Sequence, residues 1–267
     1  MAYELQEPLA MLLALSLHPS RQADLLTPAP LAIRPHAETN SYIDGFGNLC
    51  HRVLAPAGRL EVSSHFEIAD PGLPDPIVLD AGQCDVWQLP PETLVYLLSS
   101  RYCETDKLGE LAWSMFRDTE PGWRRVQAIC DFTHKRLEFG YPHGRPEKSA
   151  LDALNEGKGV CRDFAHLAIA LCRSMNIPAR YCTGYLGDIG VPRSADPMDF
   201  SAWFEAYLLG PNGGQWYAFD ARHNIPRIGR ILMARGRDAT DVALTISIGR
   251  STLSQFEVVT EELPTAG

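Results

Sequence analysis

The chain has 267 residues, of which 45% are hydrophobic and 21% charged, values that are ordinary for a globular protein with a hydrophobic core of its own. Its 24 basic and 33 acidic residues give a formal net charge of −9 at pH 7, and the basic residues form no run. This balance disfavours nucleic acid and anionic membranes as partners, so we expect neither.

Cysteine content and the N-terminal residues both bear on the cellular compartment. The seven cysteines are odd in number, scattered, and include no C-x-x-C pair, so we expect no disulfide framework, no zinc ribbon and no metal. No basic segment precedes the apolar stretch at residues 9–17, which is too short to span a bilayer and ends at His18. The sequence thus predicts a cytoplasmic protein with reduced thiols.

The N-terminal quarter of the chain has the pattern of strands joined by turns. Residues 49–53 and 60–68 are strand candidates, and in the second of them apolar and polar residues alternate. The sequence DPGLPDP at 70–76 is a dense cluster of chain breakers. We therefore predict an N-terminal β-rich domain over residues 1–78 and a core domain over residues 79–267.

From Pro90 onward the apolar spacing changes to that of helices, and after residue 180 it returns to that of strands. The PNGG sequence at 211–214 predicts a tight hairpin, and if this hairpin pairs Leu208 with Gln215, Ser201 and Asp220 fall on one face as a diagonal pair. Helices followed by an antiparallel sheet predict an α+β fold rather than a doubly wound one. The predicted helices cover residues 108–117, 122–137 and 149–154, with a shorter one from residue 90, and the predicted strands cover residues 181–185, 201–208 and 215–220.

The stretch GKGVCRDFAHL at residues 157–167 is the centre of the predicted site. Cys161 follows two glycines and opens a run with apolar residues at helical spacing, so we predict a helix that begins there. A thiol in the first helical turn faces unpaired backbone N–H groups and the positive end of the helix dipole, and both favour the thiolate. An ordinary buried cysteine is the alternative that this stretch leaves open.

Five motifs are spaced along the chain: GVCRDFA at 159–165, IPAR at 177–180, AWFEAY at 202–207, FD at 219–220 and GRDATDV at 236–242. Together they resemble the bacterial transglutaminase-like superfamily, whose catalytic core is related to that of papain. The resemblance extends over nearly the whole chain, and the N-terminal part is similar to the β domain often found ahead of the family's core. It implies helices packed on an antiparallel sheet.

The resemblance implies the chemistry of a cysteine acyltransferase or protease, in which a Cys attacks an amide carbonyl, a His moves the proton and an Asp or Asn orients the His. By position it makes Cys161 the nucleophile and Asp220 the orienting carboxylate. The family's His directly precedes Ala-Trp on the first hairpin strand, where this chain has Ser201. Because a serine hydroxyl is no base near neutral pH, an enzyme would need another histidine.

His223 is the first candidate to replace that histidine. On an extended strand an offset of three residues would turn it away from Asp220, so it can serve only if the chain turns directly after Asp220, as Asn224 favours. A loop histidine bonded to its own backbone is the alternative. His166 lies five residues after Cys161, an offset that shares a helix face poorly, which favours a packing role.

These assignments lead to two hypotheses from different classes. The first is cysteine-dependent acyl transfer on amide bonds, with hydrolysis of a peptide or isopeptide through a thioester, catalysed by Cys161, His223 and Asp220 without a cofactor. The second is a non-catalytic binding module on the same scaffold, because the family's His is lost at Ser201.

Ser201, Trp203 and Tyr141 are the predicted substrate-binding residues, for a peptide or protein amide. They lie on the first hairpin strand and in the loop just upstream of the central motif. A third, weaker hypothesis keeps an enzyme without a histidine, in which Ser201 and Asp220 order a water beside the thiolate. No oligomeric state is predicted.

Overall fold

The computed structural model describes residues 1–194 and 198–263. Within them the chain is α+β, which confirms the predicted fold class, and no helix there is long and apolar enough to cross a bilayer. The predicted helix that begins at Cys161 is also confirmed. The α-helices are α1 (Thr105–Phe116), α2 (Trp123–Arg136), α3 (Ala150–Glu156) and α4 (Cys161–Ser174).

The N-terminal strands belong to two antiparallel sheets whose apolar side chains meet in one cluster. Leu60 and Val62 point into this cluster, as their alternation predicts. The strand predicted over residues 60–68 ends at Ser63, because its three-residue partner strand offers no pairing beyond that residue. These strands are β1 (Ala2–Leu5), β2 (Leu9–Leu13), β3 (Ala32–Arg34), β4 (Glu38–Ile43), β5 (Leu49–Ala55) and β6 (Gly58–Ser63).

A third antiparallel sheet packs against the helices and has the strand order β11-β10-β9-β12. Its central hairpin pairs Leu208 with Gln215, which confirms the predicted register. A short parallel pair, β7 with β8, lies just before α4. These strands are β7 (Glu138–Phe139), β8 (Lys158–Gly159), β9 (Ala179–Leu186), β10 (Ser201–Gly210), β11 (Gly213–Phe219) and β12 (Arg230–Gly236).

The last two strands return to the N-terminal sheets. Strand β13 (Thr245–Ile248) pairs with β2, and β14 (Ser251–Gln255) pairs with β1. The division of the chain at residues 78 and 79 stays a prediction, but these two strands show that the N-terminal sheets also contain residues from the far end of the chain. These strands pair with segments far away in the sequence, and a domain boundary predicted from local sequence patterns does not take such pairing into account.

Helix α4 is the central element of the core. Every residue from 163 to 173 is buried, and the helix packs on α1, α2, α3 and the face of β9 and β10. A helix that is buried all round is fixed by its neighbours on every side. Its first residue, Cys161, is therefore held in a constant position relative to the sheet.

The start of α4 depends on a close approach between Gly159 and Asp163. The Asp163 carboxylate accepts the backbone N–H of Val160 at 3.0 Å and caps the helix, the role that charge compensation at a helix N-terminus predicts. A β-carbon on Gly159 would lie 2.7 Å from the β-carbon of Asp163, closer than side chains approach. Glycine is thus required two residues before the cysteine.

We expect Gly159→Ala to destabilise the protein by about 1–3 kcal/mol, because the added methyl must displace Asp163 and with it the first turn of α4. Gly45→Ala is the matched control, since a β-carbon there has no neighbour within 4 Å. Urea unfolding followed by tryptophan fluorescence measures both. Equal effects of the two substitutions would contradict the close approach.

Candidate active site

Cys161 is the first residue of α4, and its half-buried thiol lines two adjoining cavities. The polar cavity, of about 340 Å³, is also lined by Ser201, Arg222 and His223. The apolar cavity, of about 710 Å³, continues on the other side of Cys161 and is also lined by Val160. Cys161 is thus one of the residues at which the two cavities meet, together with Tyr141, Asp199 and Phe200.

The thiol is held in its neutral form by its surroundings. Burial raises the pKa of Cys161 to about 11, although the Arg222 guanidinium and the backbone N–H of Ala202 act in the opposite direction. The Asp199 carboxylate adds to the rise, and the backbone N–H of Arg162 opposes it. The backbone N–H groups at the helix end thus favour the thiolate, as predicted, but burial of the sulfur has the larger effect and raises the net pKa.

Asp220 and His223 form a tight turn directly after β11. One Asp220 oxygen accepts the backbone N–H groups of Arg222 and His223, each at 3.0 Å, and the other accepts the His223 Nδ1–H at 2.8 Å. The chain therefore turns directly after Asp220, so that His223 faces Asp220, which it could not do on an extended strand. Because Nδ1 is bonded to the carboxylate, Nε2 of the neutral ring carries the lone pair that a general base uses.

The Asp220 carboxylate is buried and ionised. Burial alone would raise its pKa, but Arg230, at 2.9 Å, and the hydrogen bonds from His223 hold that pKa well below its usual range. Arg230 is itself bound by Asp75 at 2.8 Å. The imidazole of His223 is thus hydrogen-bonded to a carboxylate whose negative charge is stabilised by Arg230, and Arg230 is held in place by Asp75.

The imidazole and the thiol line the same polar cavity, but no hydrogen bond joins the Cys161 sulfur to a histidine anywhere in the described parts of the chain. His166, the second candidate, is fully buried, accepts the Ala239 N–H at 3.1 Å and stacks on Tyr102. Its packing role explains why it is unavailable as a base. His223 is thus the histidine that the fold brings into the cavity of the cysteine.

The three predicted substrate-binding residues lie in different places. Ser201 lines the polar cavity, and its buried Oγ has no hydrogen-bond partner within residues 1–194 and 198–263. Tyr141 lines both cavities. Trp203 lines neither; it is 2% exposed and packs on Cys182 and Leu232, so its prediction as a substrate contact is corrected to a core residue of the sheet.

Arg222 is a candidate functional residue that the sequence alone did not single out. Its guanidinium lies 3.7 Å from the ring centroid of Phe139, and it is the cation that acts on Cys161. The sequence could have indicated this role, because Arg222 directly precedes His223. A turn after Asp220 that brings His223 to the cavity also brings Arg222 close to it. Among the described residues, no group of three or more His, Cys, Asp or Glu could hold a metal ion.

We expect Arg222→Met to slow the alkylation of Cys161 by iodoacetamide about threefold to tenfold at mildly alkaline pH, because loss of the cation raises the thiol pKa further. Arg222→Lys keeps the charge and is the control. The pH dependence of the alkylation rate, followed by intact mass, gives the pKa in each variant. A lysine variant as slow as the methionine variant would assign the effect to packing on Phe139 instead.

We expect Asp220→Asn to lower the free energy of unfolding by about 3 kcal/mol near neutral pH, because Arg230 and His223 lose a buried charge partner. The depressed pKa of Asp220 means that its charge stabilises the fold above its ordinary value of 3.8 and that this contribution is lost as the pH falls below it. The difference between variant and wild type should therefore shrink in acid. Urea unfolding at several pH values tests this, with exposed Asp118→Asn as control; a difference independent of pH would count against the ion pair.

Comparison with known proteins bears on the core. Residues 110–221 match the model of the transglutaminase-like superfamily, a span that contains Cys161 and Asp220 and ends before His223. A solved structure of a protein from Cytophaga hutchinsonii, proposed to be a cysteine protease, superposes with a TM-score of 0.79 at 29% identity, over 99% of this chain and 90% of that one.

Two curated mycobacterial relatives are both uncharacterized proteins. The one from Mycobacterium leprae is 39% identical over 124 residues, which are 45% of this chain and 42% of the relative. The one from Mycobacterium bovis is 27% identical over 236 residues, or 81% of this chain and 72% of the relative. Together with the helix that begins at Cys161 and the hairpin that ends just before Asp220, these matches support a transglutaminase-like core that includes residues 110–221.

Proposed function

We propose that the protein is a cysteine-dependent acyl-transfer enzyme that hydrolyses a peptide or isopeptide amide. The observation that carries the proposal is the joint presence of Cys161 and the Asp220–His223 pair around one cavity. The fold supports it, since the related Cytophaga protein is proposed to be a cysteine protease. A reducing compartment such as the cytoplasm would keep the thiol usable.

The raised pKa of Cys161 determines how such a reaction starts. The thiol is neutral at rest, so Nε2 of His223 takes its proton as the sulfur attacks the amide carbonyl and the S–C bond forms. The C–N bond then breaks, and the imidazolium gives the proton to the leaving amine. Water, activated by the same imidazole, hydrolyses the thioester and regenerates the thiol.

Two further groups assist these steps. Asp220 orients the imidazole and stabilises its positive charge while the proton is held there. The backbone N–H of Cys161, in the first turn of α4, has no partner of its own within the helix and can donate to the developing oxyanion. Water is the proposed acceptor.

A second candidate is a non-catalytic binding module. The neutral thiol and the absence of an imidazole bonded to it, in the part of the chain that the structure describes, both favour this alternative. So does Ser201 at the position of the family's histidine. The two candidates differ in one respect that can be measured, which is whether Cys161 turns over an acyl group.

We expect Cys161→Ala to abolish, and His223→Ala to reduce by about 10²–10⁴-fold, the hydrolysis of N-acetyl-phenylalanine p-nitrophenyl ester and of a fluorogenic peptide library. His36→Ala, which changes an exposed histidine outside the cavities, is the matched control. Intact mass after rapid quenching should show an acyl adduct on wild type only. Unchanged turnover in Cys161→Ala, or no adduct and no turnover in wild type, would favour the binding module.

A further inference from the structure

We infer that the apolar cavity beside Cys161 is the binding site for a large apolar residue on the acyl side of the amide that is cleaved. This inference rests on the proposed function and names its substrate class. It concerns selectivity: the protein should favour amides whose carbonyl belongs to an aromatic or long aliphatic residue. Three features of the site support it: the direction in which the substrate lies, the walls of the cavity and the charges around it.

The direction follows from the position of His223. The imidazole that takes the thiol proton must later give it to the leaving nitrogen, so the leaving group has to lie on the His223 side of the sulfur. That side is the polar cavity, which His223 lines, whereas it does not line the apolar cavity. The acyl part of the substrate therefore extends from the Cys161 sulfur into the apolar cavity.

The walls of that cavity suit an apolar side chain. Its volume of about 710 Å³ lies within the range in which proteins bury most of a small ligand's surface. It lies between the start of α4, strand β9 and the segment that leads into β13. Among its wall residues are Val160, Tyr181, Ala202, Ala239, Val242 and Leu244.

The charges at the cavity disfavour an ionised substrate residue. Arg162 bonds to Asp163 at 3.2 Å, and Arg145 pairs with Glu156 at 2.7 Å, so both arginines that line the cavity already have carboxylate partners. Asp199, at the junction of the two cavities, repels an acidic residue. A lysine would have to desolvate its ammonium group against the apolar walls.

The test measures how fast N-acetyl-aminoacyl chloromethyl ketones alkylate Cys161, with phenylalanine, leucine, alanine, glutamate or lysine as the amino acid. In each case the sulfur displaces chloride and a thioether forms, which intact mass detects. We expect the phenylalanine and leucine reagents to react at least about tenfold faster than the other three. The reason is that each extra carbon group of a side chain that fills an apolar pocket raises the reaction rate by roughly this factor.

Ala243→Trp provides the structural control. Ala243 lines the apolar cavity and is only half-buried, so an indole there fills the cavity without entering the core. It should remove most of the preference for phenylalanine over alanine while leaving the alanine reagent active. Thr252→Trp, which adds the same group on the exposed strand β14 away from both cavities, should keep the wild-type preference.

The outcomes separate this inference from the proposed function. Equal rates for all five reagents, faster reaction with glutamate or lysine, or an unchanged preference in Ala243→Trp would overturn the inference while leaving the function standing, provided that His223→Ala slows every reagent. Rates that are the same in wild type and His223→Ala would overturn both, because the assignment of the acyl side depends on His223.

Discussion

The carboxylate of Asp220 is the group on which the whole site depends. It directly follows β11, accepts two backbone N–H groups of the turn there, and binds both the imidazole of His223 and the guanidinium of Arg230. A buried carboxylate needs such partners, because an unpaired charge in the interior is very costly. The same contacts that satisfy this charge also fix the imidazole, so folding of the turn and assembly of the site are a single event.

A second constraint comes from the burial of α4. The helix is enclosed on all sides from residue 163 to residue 173, which fixes the position of Cys161 at its start, and partial burial of the sulfur raises the pKa of the thiol. Positional order and a stable thiolate are therefore in conflict at this residue. Here the position of the cysteine is well defined and the pKa of its thiol is raised. A base that removes the thiol proton is therefore more important than in proteins whose cysteine is already ionised.

Local patterns in the sequence predicted much of this arrangement. The glycines before Cys161 and the apolar spacing after it indicated where α4 begins, and PNGG at 211–214 fixed the register that places Asp220 diagonally to Ser201. The roles of Cys161, His223 and Asp220 stay predictions that the geometry supports.

The remaining features depend on contacts between distant segments, which no local pattern carries. The raised pKa of the thiol results from packing around α4, and the burial of Trp203 from its contacts with Cys182 on β9 and Leu232 on β12. Arg222 acts on the cysteine only because the chain folds back after Asp220. Likewise β13 and β14 find their partners more than two hundred residues earlier in the chain.

The pairing of β13 with β2 and of β14 with β1 also determines when the N-terminal sheets can finish folding during synthesis. The ribosome releases the N-terminal strands first, yet β1 and β2 each keep one open edge until residues 245–255 emerge. By then α1–α4 and the sheet of β9–β12 have already left the ribosome. Because loop closure over such distances is slow and open strand edges invite pairing with other chains, the N-terminal sheets are the part of the nascent protein most exposed to aggregation.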